Sequence, residues 1–225
     1  MHYRPQVCCN TGRVLSLLAV PPVHLYNRTD AILHMILKQY RDWQSDGVLV
    51  PPAVISLPHQ IACSTKLAQP LIWEIDRQET NPDQIMFSLS AHTNDSLPGQ
   101  TLLTDFGCSI ELSYPDQTGI RLLNMLSPGS VRLRIPAELT RNEHIKPQQG
   151  QAILSVLALA ERHGMTTIAS HVETRESYGF LAQLGCDAVQ GDIVAPILDA
   201  DGTAHFLRQY ATLSMHMTLL SRPAA

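Results

Sequence analysis

Residues 166–196 read TTIASHVETRESYGFLAQLGCDAVQGDIVAP and predict a strand, a helix and a second strand in succession. Residues 166–171 have the β-branched and small apolar character of a buried strand. Residues 175–184 then carry apolar side chains at spacings of three and four, as a helix packed on a core does. Gly185 stands where a helix C-cap belongs, and residues 188–194 return to a strand pattern. This order is typical of a parallel sheet.

The same alternation extends over most of the chain. We predict further strands at residues 14–20, 53–57, 71–76, 101–106 and 130–135, and further helices at residues 31–43, 117–126 and 149–163. Six or seven such units favour a closed (β/α) barrel, although a doubly wound open sheet would show much the same periodicity. Because barrel chemistry collects where strands end, the informative residues are Glu74, Asp105, Arg134, Glu173 and Gln190.

Composition limits the class of protein. The chain has 225 residues, of which 44% are apolar and 16% are charged, so we expect one globular domain over residues 1–225. A formal net charge of −4 gives no electrostatic reason to expect direct nucleic-acid binding or an anionic membrane partner. The five cysteines form no C-x-x-C pair, and the longest apolar run, residues 152–160, is far below the roughly 20 residues of a membrane helix. We expect a cytoplasmic protein with reduced thiols.

Residues 166–196 closely resemble a segment of the EAL family written approximately VVAEGVETxEQxxxLxxLGCDxxQGYxxxxP. The shared residues are Ala169, Val172, Glu173, Thr174, Leu184, Gly185, Cys186, Asp187, Gln190, Gly191 and Pro196. The family consists of bacterial barrel proteins that hydrolyse cyclic di-GMP. The resemblance implies its fold: an α/β protein with a single (β/α)8-type TIM-like barrel in which one strand is antiparallel.

Shorter segments extend the resemblance towards the start of the chain. Residues 104–107, TDFG, are similar to the family's DDFG, and residues 73–77, WEIDR, are similar to its LELTE. Residues 54–60, VISLPHQ, are similar to VNLSPRQ, and residues 12–20 are similar to the run that ends in the EAL signature. Residues 3–5, YRP, are similar to YQP.

The resemblance implies catalysis by two Mg²⁺ or Mn²⁺ ions held by oxygen ligands. On this alignment the signature glutamate falls at Leu18, the ligand asparagine at Ile55, the first aspartate of the DD pair at Thr104 and the general base at Ser170. We therefore expect a degenerate member that is not an enzyme and has no cofactor. If that expectation is wrong, Mg²⁺ or Mn²⁺ is the expected cofactor, with Glu74 and Asp105 as the residual metal candidates.

A residual ligand site remains a second hypothesis. The family's lysine falls at or beside Arg132 and the following aspartate near Arg134, so the candidate ligand-binding residues are Arg4, Glu74, Asp105, Arg132, Arg134, Glu173, Gln190 and Pro196. The alternative for Glu74, Asp105 and Glu173 is a ring of polar side chains at the barrel mouth that hydrogen-bonds to loops. The alternative for the arginines is a solvated strand face.

These observations lead to three functional hypotheses. The first is a non-catalytic regulatory protein that binds a partner protein, such as a transcription or motility regulator, as the family analogy implies. The second is a cyclic di-GMP receptor without hydrolysis, and the third is a weak metal-dependent cyclic di-GMP phosphodiesterase. We expect no direct nucleic-acid contact and no membrane contact, and a homodimer is compatible with the sequence.

Overall fold

Eight strands form a closed barrel in the computed structural model, which describes residues 1–89, 96–113, 131–141 and 147–220, with side chains up to residue 210. The strands are β1 (His2–Cys8), β2 (Val14–Val20), β3 (Ala53–Ser56), β4 (Ile85–Leu89), β5 (Ser109–Ser113), β6 (Val131–Ile135), β7 (Thr166–Ala169) and β8 (Ala188–Val189). β1 runs antiparallel to β2 and β8, and all other neighbours are parallel. The predicted barrel with one antiparallel strand is confirmed, and the doubly wound alternative is excluded.

Helices surround the barrel. They are α1 (Thr29–Ser45), α2 (His59–Ala62), α3 (Thr65–Arg77), α4 (Pro98–Asp105), α5 (Ala137–Thr140), α6 (Pro147–Arg162), α7 (Arg175–Gln183) and α8 (Ala200–Leu220). Local signals set several of the ends. The Thr174 side chain accepts a hydrogen bond from the Ser177 amide at the start of α7, and Gly164 and Gly185 have φ of 62° and 91° after α6 and α7. Within the described ranges, no helix combines the length and apolar character needed to cross a bilayer.

Two predicted strands are wrong, because residues 71–76 belong to α3 and residues 101–106 belong almost entirely to α4. In α3 the buried residues Ala68, Leu71, Ile72 and Ile75 repeat at spacings of three and four, which is a helical pattern. The strands that the sequence reading missed are β1, β4 and β5. The predicted helix at residues 117–126 lies outside the described residues.

Two layers of side chains fill the structure. The outward-facing residues of the strands pack against the helices, as Ile55 and Phe87 do with Leu33 and Leu71 in one continuous apolar cluster. Each such buried side chain contributes about 1.5–3 kcal/mol relative to an exposed one. The inward-facing residues of several strands are polar, and this interior leads to the carboxyl ends of the strands, which we call the mouth.

Candidate functional site at the barrel mouth

A buried carboxylate between two arginines occupies the barrel interior. The side chain of Glu111 points inward, on the same face of β5 as Ser109 and Ser113, and it is fully buried. Arg132 on β6 donates from Nε at 3.0 Å and from Nη2 at 2.6 Å to one oxygen of Glu111. Arg134, two residues further along β6, donates from Nε at 2.8 Å and also from Nη2 to the other oxygen. One carboxylate therefore neutralises only one of two guanidinium charges.

Burial and charge act in opposite directions on Glu111. Burial by itself raises the pKa of Glu111, but the adjacent Arg134 and Arg132 guanidiniums and their hydrogen bonds outweigh it, so the pKa lies below its ordinary value. Burial also lowers the pKa of Arg132, against the pull of Glu111. An arginine starts from a pKa so high that it stays protonated at neutral pH. All three groups are therefore charged, and their sum is positive.

A layer of uncharged polar groups continues this network deeper into the barrel. Arg132 donates from Nη1 to Ser16 Oγ at 3.0 Å and from Nη2 to Gln6 Oε1 at 2.6 Å. Gln6 donates from Nε2 to Gln190 Oε1 at 2.7 Å. Ser16, Gln6 and Gln190 are all buried. Gln190 therefore lies in the barrel interior, as part of the network that holds Arg132 in place.

The mouth above this network carries further arginine and histidine groups. Arg4 on β1 pairs in register with Leu18 on β2, and it donates from Nη2 to Asp192 at 3.1 Å. The Nε of Arg4 and the Nδ1 of His171 are buried and have no hydrogen-bond partner among the described residues. His171 follows the end of β7 with φ of 58°, which is uncommon for a residue other than glycine.

The surroundings of His171 are cationic. Burial lowers the pKa of the His171 imidazole, and the charges of Arg141, Arg4 and Arg134 lower it further, while Glu173 acts in the opposite direction. The imidazole is therefore neutral near pH 7. Three guanidiniums acting on one ring indicate a mouth with a positive local potential, although the whole chain has a formal net charge of −4.

Two of the predicted ligand residues, Glu74 and Asp105, lie outside the mouth. Glu74 is on the outer surface of α3, where it accepts hydrogen bonds from Arg77 at 2.6 and 2.8 Å, from Gln78 at 2.9 Å and contacts the His34 ring at 2.8 Å. Asp105 is the exposed last residue of α4. The assignment of both residues to strand ends is wrong, because the segments that carry them are helices.

We expect Glu74→Ala to change the free energy of unfolding by about 1 kcal/mol or less near neutral pH, as for other surface ion pairs. Burial raises the pKa of Glu74, but hydrogen bonds from His34, Arg77 and Gln78 outweigh it and lower the pKa to about 2. The contribution of the Glu74 carboxylate to the free energy of unfolding is therefore present above the unfolded-state pKa of about 4.3 and is lost as the pH falls towards 2. Chemical denaturation at pH 7 and pH 3 measures this, and a loss above 2 kcal/mol at pH 7 would contradict it.

The four positions predicted as lost catalytic groups fall into two pairs, of which only one lies near the mouth. Ile55 is 1% exposed and packs outward against the helices, so the inward neighbours on β3 are Val54 and Ser56. Thr104 lies on α4 and donates to the Thr101 carbonyl at 2.9 Å. Neither Ile55 nor Thr104 faces the mouth. Leu18 does lie beside Arg4, and Ser170 is buried and donates to the Ile135 carbonyl at 3.4 Å.

Most of the remaining predicted residues lie at the mouth or directly beneath it. Arg4, Arg134 and Glu173 all act on His171, and Arg132 and Gln190 lie in the interior network beneath them. Pro196 is exposed, beyond β8. Sequence reasoning missed Glu111, His171 and Asp192. Alternation in the segment SIELS was the available signal for Glu111, because it places the carboxylate on the face shared by two small serines.

The metal ions implied by the resemblance do not fit the donors that are described. Across residues 1–89, 96–113, 131–141 and 147–210, no three His, Cys, Asp or Glu side chains are grouped so as to hold a metal ion. Both oxygens of Glu111 are occupied by arginines. The other inward groups at the ends of β3, β4 and β5 are Ser56, Ser88 and Ser113, whose neutral hydroxyls are weak ligands for Mg²⁺ or Mn²⁺.

Comparison with known proteins identifies the fold independently. The EAL domain model matches residues 25–197. The EAL domain of DcpA from Mycobacterium smegmatis is 17% identical with a TM-score of 0.79, covering 92% of this chain and 96% of that one. The phosphodiesterase PaMucR, solved with c-di-GMP, is 19% identical with a TM-score of 0.75, covering 89% and 92%. A standalone EAL protein from Vibrio cholerae O395, also bound to c-di-GMP, is 16% identical with a TM-score of 0.71, covering 89% and 92%. Comparison with curated proteins gave no match.

These comparisons contradict the prediction that the chain is not an enzyme. The matching model is that of the EAL domain, and the structures that share its fold include one called a phosphodiesterase and others called EAL enzymes. The prediction had also counted Ile55 and Thr104 as lost ligands, and neither residue faces the mouth. Sequence alignment alone had placed these two positions on the wrong face or the wrong element.

Fold, register and family model agree. The barrel closes with β1 antiparallel to its neighbours, the segment at residues 166–196 forms β7, α7 and β8, and the EAL domain model covers more than half of the chain. The chain belongs to the EAL family.

Proposed function

We propose that this protein acts in cyclic di-GMP signalling by binding cyclic di-GMP at the mouth of the barrel. The observation that carries the proposal is the excess of guanidinium charge there, since Glu111 serves both Arg132 and Arg134, while Arg4 and Arg141 add to the charge around His171. Cyclic di-GMP has two phosphodiester groups and is a dianion. PaMucR and the Vibrio cholerae protein, which share the fold, were both solved with this nucleotide.

Arginine suits this role for a geometric reason. A guanidinium offers several N–H donors in one plane and keeps its charge at any physiological pH, so it binds phosphate oxygens more specifically than an ammonium group does. Arg4 uses Nη2 for Asp192, and its Nε has no partner among the described residues. The Arg4 side chain is 16% exposed, and that of Asp192 is 65% exposed. The pair therefore lies at the boundary between the buried interior and solvent, where a bound phosphate would replace water.

We expect Arg4→Ala to weaken binding of cyclic di-GMP by about tenfold or more, because one charge-assisted hydrogen bond is removed. Isothermal titration calorimetry measures the dissociation constant. Arg28→Ala is the matched control, since Arg28 also forms an ion pair with an aspartate, Asp30 at 3.1 Å, but does so at the start of α1. Absence of heat and of nucleotide retention with wild-type protein would overturn the proposal. Chromatography of the same mixture with Mn²⁺ measures any linear dinucleotide directly.

A second candidate function, binding of a partner protein such as a transcription or motility regulator, has its own observation. Leu67, Pro70 and Trp73 lie at successive three-residue spacings on α3 and share one exposed face. Leu67 is 48% exposed and Trp73 is 64% exposed. A large aromatic side chain left this open is typical of an interaction surface, because aromatic anchors dominate protein interfaces. We call these three residues the α3 strip.

The α3 strip is tested by cross-linking in the native cell, followed by capture of the wild-type protein and of Trp73→Ala. We expect a cross-linked protein with the wild type and at least a fivefold loss with the variant, because truncation of an aromatic anchor commonly costs about 1–2 kcal/mol or more of binding. Leu154→Ala is the control, since Leu154 is 47% exposed on α6. Equal capture by wild type and Trp73→Ala would exclude this surface, and capture of a second copy of the chain would replace the partner with a homodimer.

A further inference from the structure

Two unpartnered nitrogen atoms lie at the mouth. The Nε of Arg4 and the Nδ1 of His171 are buried without a hydrogen-bond partner among the described residues. Arg4 lies on β1 and His171 follows β7, on either side of the short strand β8. Buried polar groups are nearly always paired, so each unpaired one in a protein calls for an explanation such as an unseen ligand. Both atoms belong to residues of the arginine-rich mouth, so one anionic ligand bound there would account for both.

The backbone holds His171 in an unusual conformation. Its φ of 58° lies in the left-handed region, which favours glycine, and the EAL pattern quoted above has a glycine at this position. The next residue, Val172, donates to the Gln190 carbonyl at 3.0 Å, and Gly191 lies directly against the Val172 backbone. The turn is therefore held against the segment that follows β8. Such conformations persist where the surrounding structure enforces them, and they cluster at ligand sites.

Charges around His171 favour an anion. Arg4, Arg134 and Arg141 act on the ring from three elements, and Glu173 is the carboxylate that acts in the opposite direction. Asp192 already forms an ion pair with Arg4. In the free protein the arginines disfavour a protonated ring. A bound anion would offset their charge and favour the imidazolium form, which would then donate a hydrogen bond to it.

We propose that Arg4, Arg134 and His171 form an anion subsite that binds one phosphodiester group of cyclic di-GMP without a metal ion and takes up one proton from solvent on His171. The identity of the ligand rests on the proposed function, whereas the anion chemistry rests on the residues themselves. The family pattern has glutamine where this chain has Arg4 and glycine where it has His171. The anion subsite is therefore a property of this chain's own residues.

The sign of the pH dependence follows from the proton. A phosphodiester remains a monoanion from pH 8 to pH 5.5, and over that range carboxylates ordinarily stay ionised and arginines stay protonated. His171 is then the group whose protonation is linked to binding. We expect the affinity for cyclic di-GMP in EDTA to be at least about fivefold higher at pH 5.5 than at pH 8.

The test compares wild type with His171→Asn by calorimetry in EDTA at both pH values. Asparagine accepts the left-handed conformation more readily than other residues and cannot become cationic. We expect the affinity of His171→Asn to change little between pH 8 and pH 5.5, so that at pH 5.5 it binds at least about fivefold more weakly than wild type. His163→Asn is the matched control, because His163 is also partly buried but follows α6 at the opposite end of the barrel. A pH dependence that is the same in His171→Asn, or binding abolished by EDTA, would overturn the anion subsite.

A second measurement separates the subsite from the proposed function. The imidazole resonance of His171, assigned as the signal missing from His171→Asn, is titrated against pH alone and with dimethyl phosphate as a simple phosphodiester. We expect dimethyl phosphate to move the titration midpoint to higher pH. If this occurs while cyclic di-GMP does not bind, the subsite stands and the nucleotide assignment fails. If cyclic di-GMP binds but neither it nor dimethyl phosphate moves the midpoint, the subsite is wrong and the proposed function stands.

Discussion

Replacing Glu111 with alanine is expected to lower the free energy of unfolding by about 3–5 kcal/mol, enough to prevent folding of a marginally stable barrel. The carboxylate is fully buried and accepts hydrogen bonds from both Arg132 and Arg134. Its removal leaves two guanidinium charges in the interior without an anion. The cost is therefore mainly that of the stranded charges and not of one lost contact. Urea denaturation followed by circular dichroism measures it.

The exposed Glu138 supplies the control for this substitution. Glu138 is in the short helix α5 that follows β6, so Glu138→Gln removes the same charge from the same region and should change stability by no more than about 0.5 kcal/mol. If Glu111→Ala were as stable as Glu138→Gln, the interior would not depend on the carboxylate. Because the arginines hold the pKa of Glu111 below its ordinary value, its contribution is complete above about pH 4.3 and is lost as the pH falls through the folded-state pKa.

Gly191→Ala is expected to destabilise the protein by about 3 kcal/mol or more and to abolish binding of cyclic di-GMP. A Cβ at position 191 would lie 2.0 Å from the Val172 carbonyl oxygen and 2.4 Å from the Val172 nitrogen. Backbone atoms cannot rotate away as the end of a side chain can, so the strand end would have to move. His171 precedes Val172, and the movement would displace its ring. Thermal unfolding and calorimetric titration measure the two effects.

A second glycine provides the comparison. Gly179 lies inside α7, and a Cβ there would meet nothing within 4 Å. Gly179→Ala should therefore leave stability unchanged or raise it by up to about 1 kcal/mol, since alanine has the higher helix propensity. Binding should be unaffected. Equal stability of Gly191→Ala and wild type would show that β8 and the end of β7 are further apart than the structure has them.

The fold was predictable where the local pattern was strong. The segment at residues 166–196 combines a strand, an amphipathic helix and a capping glycine, and each of these appears at nearly the predicted place. The two failures, residues 71–76 and 101–106, are short apolar runs in which helical and strand periodicity are hard to separate. The strand at Ile85–Leu89 was missed for the same reason, and with it the correct positions of the residues that face the mouth.

The candidate site was less predictable than the fold. Arg4, Arg134 and Glu173 were named from the sequence, and the structure brings them around His171. Glu74 was named for a strand end and lies on an outer helix. A shift of one residue in a strand exchanges its inward and outward side chains, so an approximate alignment is enough to identify a family and insufficient to identify a ligand. Ile55 shows this directly, because it packs against the helices while its two neighbours on β3 face the interior.

The sequence by itself determined that the chain is built of consecutive βα units and that its last quarter has the EAL pattern, because these properties depend on local periodicity and on short motifs. Only the tertiary structure decided that Glu111 joins Arg132 to Arg134, that Glu74 does not reach the mouth, and that Arg4 and His171 lie on either side of β8. The physical reason is that the charge and hydrogen bonding of an interior group depend on partners contributed by other strands. Strand pairing brings Glu111 on β5 next to Arg132 on β6, and barrel closure brings Gln6 on β1 within reach of Arg132.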